Sequence, residues 1–312
     1  MKSFWLLGCC GALLVAGAGL GRHHIFPVAV SGQSGGAIAQ TTPASQPSSP
    51  SESSNQAILT ALKQANVIYL GETHTDVADH AAQLEIITAM HQSRGDIAIG
   101  LEMFQRPFQS VLDQYIAGEI TEAELIEQSE YETRWGFDWE LYAPILRYAQ
   151  SNQIPLIALN TPREITKKVA QQGLASLEGN DWQYIPPMDE IDTSDENYQA
   201  MVAQVFGHHG GHGGHSNSGG HGGGGGPSFD NFFAAQVLWD ETMAEAVADY
   251  VTAFPNTQVI VLAGEGHIVF DFGIPSRVAR RLGDELVAHS VLLNPTATSP
   301  ALADFFWISD AE

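Results

Sequence analysis

The chain has 312 residues, 44% of them hydrophobic, and carries 36 acidic against 13 basic residues for a formal charge of -23. That length supports one large or two modest domains with a sizeable core, and the composition excludes a wholly disordered chain. The charge excludes nucleic acid as a partner, because holding a phosphate backbone needs basic surface that releases counterions, and it disfavours an anionic membrane surface for the same reason.

Lys2 precedes a charge-free run from Phe4 to Leu20 with Arg22 behind it, the charged and apolar regions of an export signal. Ala16-Gly17-Ala18 and Ala37-Ile38-Ala39 are small-x-small cleavage candidates. An uncleaved anchor is the alternative, and at 17 residues the run is just short of a comfortable span. Leu6-Leu7-Gly8-Cys9 has the letters of a bacterial lipobox. Cys9 and Cys10 are the only two cysteines, so a mature chain without this stretch has no disulfide framework, thiolate zinc site or cysteine nucleophile. Residues 1–39 therefore read as signal or anchor, with the rest exported to the periplasm or the outer face of a membrane and touching that membrane through this segment alone. Residues 40–55 are mainly Ser, Pro, Thr, Ala and Gln and read as a tether. The folded domain is expected over 56–312.

Within it, Val67-Ile68-Tyr69-Leu70, Ile97 to Leu101, Pro155 to Leu159 and Val259 to Ala263 are nearly continuous apolar runs, as in parallel strands covered on both faces. Ser290 to Leu293 is a fifth. Ala81, Leu84, Ile87 and Met90 mark one stripe of a helix between the first two. The expected fold class is α/β, a mainly parallel sheet flanked by helices. Two helical stretches, about 104–150 and 165–251, are expected to form a cap. Thr121 and Glu124 give the first a capping box, and Phe232, Gln236, Trp239, Met243, Ala246 and Tyr250 line one face of a long helix in the second. Residues 207–226 hold twelve glycines and five histidines. At that density the tract reads as a flexible loop, with His208, His209, His212, His215 and His221 able to capture a metal ion or haem. A plain spacer is the alternative.

Ligands of open parallel sheets bind beyond the carboxyl ends of the strands. Those ends deliver Gly71-Glu72-Thr73-His74, Glu102-Met103-Phe104, Asn160-Thr161-Pro162-Arg163 and Gly264-Glu265-Gly266-His267 to one edge. Glu72, His74, Glu102, Glu265 and His267 would form a carboxylate and imidazole cluster able to hold a divalent metal or do acid/base work, with His80 on the following helix. Taken singly, each is an ordinary polar turn residue. The aromatic block Trp135-Gly136-Phe137-Asp138-Trp139 reads first as core of the cap and second as a wall for a planar ligand. Arg277, Arg280 and Arg281 read either as a solvated face or as a clamp for carboxylates such as propionates.

These residues resemble a known family. Gly71 to His74 with His80, Leu101 to Phe104, Trp135 to Pro144, Asn160-Thr161-Pro162, Trp239 to Ala244, Ala263 to His267 and Gly273-Ile274-Pro275-Ser276-Arg277 are similar, in order, to the ChaN-like haem-binding proteins. These are exported bacterial proteins or lipoproteins linked with iron acquisition. The resemblance implies haem as cofactor, bound at a surface or at a homodimer interface, with His74, His80, Glu102, Arg163, His267 and Arg277 as the candidate residues for it. One departure stands out: the family often has a second glycine before Gly-Ile-Pro, where this chain reads Ile268-Val269-Phe270-Asp271-Phe272. The Gly-Glu-x-His layout is also similar to erythromycin-esterase and Tiki-type hydrolases. The expected function is thus haem capture or transfer, and the alternative is a metal-dependent or Glu/His-dependent hydrolase using Glu72, His74, Glu102 and His267.

Overall fold

Short β-branched runs with no polar face can be buried only in the middle of a layered domain, and that is where these runs lie. The computed structural model describes residues 50–210 and 228–309. In them six strands, β1 (Val67–Glu72), β2 (Ile97–Gln105), β3 (Leu156–Asn160), β4 (Gln258–Gly264), β5 (Ala288–Leu293) and β6 (Phe305–Trp307), form one sheet in the order β3-β2-β4-β1-β5-β6. Every pairing is parallel. The α/β fold class expected from the sequence is the one observed.

Alternate strand residues feed two cores. Ile68, Leu70, Ile99, Leu101, Ile260 and Leu262 face α1 (Pro50–Leu62), α2 (Val77–Arg94), α3 (Gln109–Ile116), α4 (Glu122–Gln128), α5 (Tyr131–Arg134) and α6 (Trp139–Ser151). Val67, Tyr69, Val259, Val261 and Ala263 face α9 (Phe229–Ala253) and α10 (Ile274–Leu282). Each fully buried Leu, Ile or Val contributes roughly 1.5–3 kcal/mol relative to exposure, so both faces are firmly held. A third cluster joins α7 (Arg163–Gln172), α8 (Glu196–Gly210) and the first half of α9 through Ile165, Val169, Tyr198, Phe233 and Leu238. The two helical stretches read as a cap therefore lie on opposite faces of the sheet.

Other local expectations differ by identifiable causes. Helix α1 starts at Pro50, inside the segment read as tether. Its apolar Ile58 and Leu62 are buried in the first core, which carries the preceding polar turns. On α2 the buried face is Asp79, His80, Ala82, Gln83, Ile86, Ile87 and Met90, with Ala81 exposed. The polar residues that serve the site share the buried face, so the helix is rotated away from the purely apolar stripe. The Thr121 capping box is present, with Glu124 N donating to Thr121 Oγ1 and Thr121 N to Glu124 Oε2. Helix α8 runs to Gly210, so Gly207, His208 and His209 are helical backbone. His212, His215 and His221, with the rest of the glycine-histidine tract, lie outside the described residues.

A candidate Glu/His site at the carboxyl edge of the sheet

Parallel pairing brings the two Gly-Glu-x-His segments side by side, because Gly71 pairs with Ala263 and Glu72 with Gly264 in the β1–β4 register. From β1, the Glu72 carboxylate is buried and collects three donors. Tyr142 Oη donates to Oε1 at 2.6 Å, His74 Nδ1 lies 2.8 Å from the same oxygen, and Gln83 Nε2 donates to Oε2 at 2.5 Å. Asp76 caps α2, and Asp79 accepts Thr73 N at 2.8 Å, which fixes the loop carrying His74. His74 is set edge-on to Trp135 at 4.8 Å between ring centroids and lies 4.9 Å from Phe137.

A second assembly forms around β4. His267 Nδ1 lies 2.6 Å from Asp240 Oδ1, and its Nε2 is 3.4 Å from Glu102 Oε1, an ion-pair distance without hydrogen-bond alignment. Asp240 in turn accepts Tyr198 Oη at 2.5 Å. Gly264 N donates to Glu102 Oε2 at 2.7 Å and Asn160 Nδ2 to the Glu102 carbonyl at 2.7 Å. Glu102 sits where the β2–β3 register shifts between Leu101 and Gln105, an irregularity of the kind that re-aims side chains beside sites. Trp239 is edge-on to His267 at 5.1 Å.

Protonation follows from these contacts. Burial is the largest influence on all four core groups and disfavours charge, but opposite charges override it. Hydrogen bonding to His74, with the charges of His74 and His80, holds Glu72 below the usual carboxylate range. The charge of His267 does the same for Glu102. Conversely, Glu72 and Glu102 raise His74, and the charges of Glu102 and Asp240 raise His267 well above an ordinary imidazole. At the rim, burial raises the carboxyl of half-buried Glu265, with only His74 working against it.

A pH profile follows. Depressed carboxylates contribute stability above their unfolded value of 4.5 that is lost as pH falls through the folded value; raised histidines contribute stability below 6.5 that is lost as pH rises through theirs. Asp79, pushed up to about 6 chiefly by burial, is most stabilising when protonated and so opposes the acid limb. The alkaline limb is diagnostic: the thermal transition should fall as pH rises above 6.5. A flat transition over that range contradicts the buried imidazolium–carboxylate pairs.

The remaining sequence candidates are placed as follows. His80 is buried with both ring nitrogens engaged, Nδ1 near Gln83 Oε1 and Nε2 near the His74 carbonyl. Arg163, half-buried, donates to the Thr133 carbonyl. Arg277 is buried, with Nε 3.2 Å from Glu241 Oε1 and its guanidinium 5.2 Å from the Tyr198 ring centroid. Arg280 and Arg281 reach Glu241 Oε2 at 2.7 Å each. Arg277 and Arg281 thus face an internal carboxylate, and Arg280 reaches the same carboxylate from the solvated face of the helix, its side chain 41% exposed. In the aromatic block Trp135, Trp139 and Tyr142 pack in the first core, while Phe137 stays half-buried against His74. Among the described residues no group of three or more His, Cys, Asp and Glu is disposed to hold a metal ion. Gln83 and Tyr198 are not marked as site residues by the sequence, and Asp240 stands there only within the Trp239 to Ala244 block of the family resemblance. Asp240 leaves a trace in the sequence, a carboxylate beside Glu241 inside the apolar run Val237 to Ala244, whereas nothing local marks Tyr198.

A family model described as haem-binding uptake, Tiki superfamily, ChaN matches residues 58–278. The chain belongs to this family. The solved structure of cofacial haem binding to ChaN of Campylobacter jejuni has the same fold, at a TM-score of 0.62 and 17% identity, covering 80% of this chain and 90% of that one. A structure of the erythromycin esterase EreC in its open conformation is similar at a TM-score of 0.44 and 18% identity, covering 76% of this chain and 72% of that chain. Among curated proteins, RETICULATA-RELATED 5, chloroplastic, of Arabidopsis thaliana is 26% identical over 271 residues, or 80% of this chain. The chain spans 35% of the length of that relative.

Proposed function

We propose that this chain is an exported haem-binding protein that captures or hands on haem at the carboxyl edge of its sheet, with His74 as the group that meets the iron. One observation carries the choice of residue. Of the candidate imidazoles at this edge, His80 is buried with both ring nitrogens hydrogen-bonded and His267 is buried between Asp240 and Glu102, whereas the partly exposed His74 has its Nδ1 backed by Glu72 and no hydrogen bond at Nε2 among the described residues. A carboxylate behind one ring nitrogen is the usual support of a metal-bound histidine. His74 also retains 11% side-chain exposure, beside Phe137 and Glu265 at the rim. The residues present therefore fit haem at the rim and not deep in the cluster, where His267 is enclosed between the buried carboxylates of Glu102 and Asp240. Family membership supports the ligand, and the apolar run after Lys2 supports export. A shared site between two protomers is part of the same reading.

Hemin titration tests it. The purified protein should develop a saturable Soret band, and His74→Ala should weaken hemin by about tenfold or more; no spectral change at micromolar protein would sink the reading.

The second reading is a Glu/His-dependent hydrolase, favoured by one specific observation. Glu265, its carboxyl pushed up from the usual range by burial, stands within electrostatic reach of the Glu72-backed His74, so a carboxyl biased toward its acid form and an orientable base share one rim. Slow turnover of 4-nitrophenyl esters, abolished in both His74→Ala and Glu265→Gln, is its expected signature.

A further inference from the structure

The two Gly-Glu-x-His segments have the same spacing in sequence, yet the structure treats their histidines differently. His74 is tied on one side only, at Nδ1 to Glu72. His267 is held on both sides, by Asp240 from α9 at 2.6 Å and Glu102 from β2 at 3.4 Å, with Gln236 Nε2 3.3 Å from Nδ1 and Trp239 against the ring. Asp240 is itself held from behind by the Tyr198 hydroxyl at 2.5 Å. The neighbouring Glu241 is gripped by Arg277, Arg280 and Arg281, and the Asp192 backbone N–H donates to it at 3.2 Å. The Arg277 guanidinium lies over the Tyr198 ring. Helix α9 is thereby pinned in one register, with successive carboxylates serving opposite tasks.

We propose that Asp240, seated by Tyr198, is a positioning residue that locks His267 onto Glu102, so that the histidine of the second Gly-Glu-x-His segment is a buried tie between β2, β4 and α9 and the histidine of the first is the one left to meet a ligand. A buried imidazole with a carboxylate at each nitrogen has no edge left to offer. The inference rests on the haem reading only for what the first segment meets; the lock itself is a property of the protein alone.

The test uses the full chain labelled with 15N-histidine, with His267 assigned by its loss in His267→Gln. The strongly hydrogen-bonded Nδ1 proton of His267 should give a downfield ring signal in the wild type. That signal should disappear in Asp240→Asn, be displaced in Tyr198→Phe, and return in Asp240→Glu. Tyr198→Phe removes one hydroxyl and keeps the ring under Arg277, so it guards against an Asp240 variant that fails to fold. If the His267 signals are the same in Tyr198→Phe and Asp240→Asn as in the wild type, the lock is wrong. A chain that takes no hemin while His267 responds as described overturns the haem reading and supports the lock.

Discussion

Replacing His267 by alanine should lower stability by about 3–5 kcal/mol, the range for removing one partner of a buried ion pair. The side chain is enclosed by Glu102 and Asp240, both buried, and without it two carboxylates stand near each other with no opposing charge between them. The polar groups that remain do not replace it. Gly264 N already serves the Glu102 carboxylate, Asn160 is spent on the Glu102 backbone carbonyl, and Tyr198 already serves Asp240. For a domain of this size the loss corresponds to a drop in the thermal transition on the order of 10 °C. Part of that loss should return as the pH is lowered, because a carboxylate left without its counter-charge can take up a proton and shed its own charge. A variant that melts within about 2 °C of the wild type at pH 7 would mean that the network contributes nothing net.

Gly273→Ala should cost about 3 kcal/mol, at the upper end of overpacking effects. A Cβ on Gly273 would stand 2.2 Å from the His267 carbonyl oxygen, 2.7 Å from its carbon and 3.0 Å from its Cα. All three neighbours are backbone, so no rotamer change relieves the clash and the His267 segment itself must move. The intervening turn has little slack, because Phe270 and Asp271 already hold left-handed conformations at φ 59° and 57°. A residue with a Cβ is strained there. Denaturant unfolding measures the loss, and the His267–Asp240 contact should be disturbed with it. A neutral Gly273→Ala would show that the turn can open freely.

That turn illustrates what the sequence tells and what it withholds. Gly-Ile-Pro-Ser-Arg is visible as a motif, but its purpose, a backbone approach to His267, is not. The departure at Ile268 to Phe272 becomes intelligible only when φ is known: the chain makes a left-handed turn without a glycine in the turn itself. The five main strands are legible because burial on both faces leaves continuous apolar runs. Phe305–Trp307, three residues long and held by β5 alone, is too short to stand out. At the site, Glu72, His74, Glu102 and His267 are legible because strand ends announce themselves. The residues that give them their states are not, since Gln83, Tyr142, Asp240 and Tyr198 arrive from helices whose rotation no local pattern specifies. The arginines of α10 misled for the same reason, as their common partner Glu241 is remote in sequence.

The central strand of the sheet is also late in the chain. β1 and β2 are not neighbours; β4, beginning at Gln258, enters between them and supplies the facing edge for both. Until that strand has been synthesised and inserted, the facing edges of β1 and β2 have no partner, Glu102 has no Gly264 amide and His74 has no opposite histidine. Contacts of such sequence separation form slowly, because a long loop must close before they reward it. On a growing chain, then, ligand-binding ability should be absent through most of synthesis and appear abruptly after β4, and a product cut short anywhere before Gln258 should carry at most one of the two Gly-Glu-x-His segments and no assembled sheet edge to hold it.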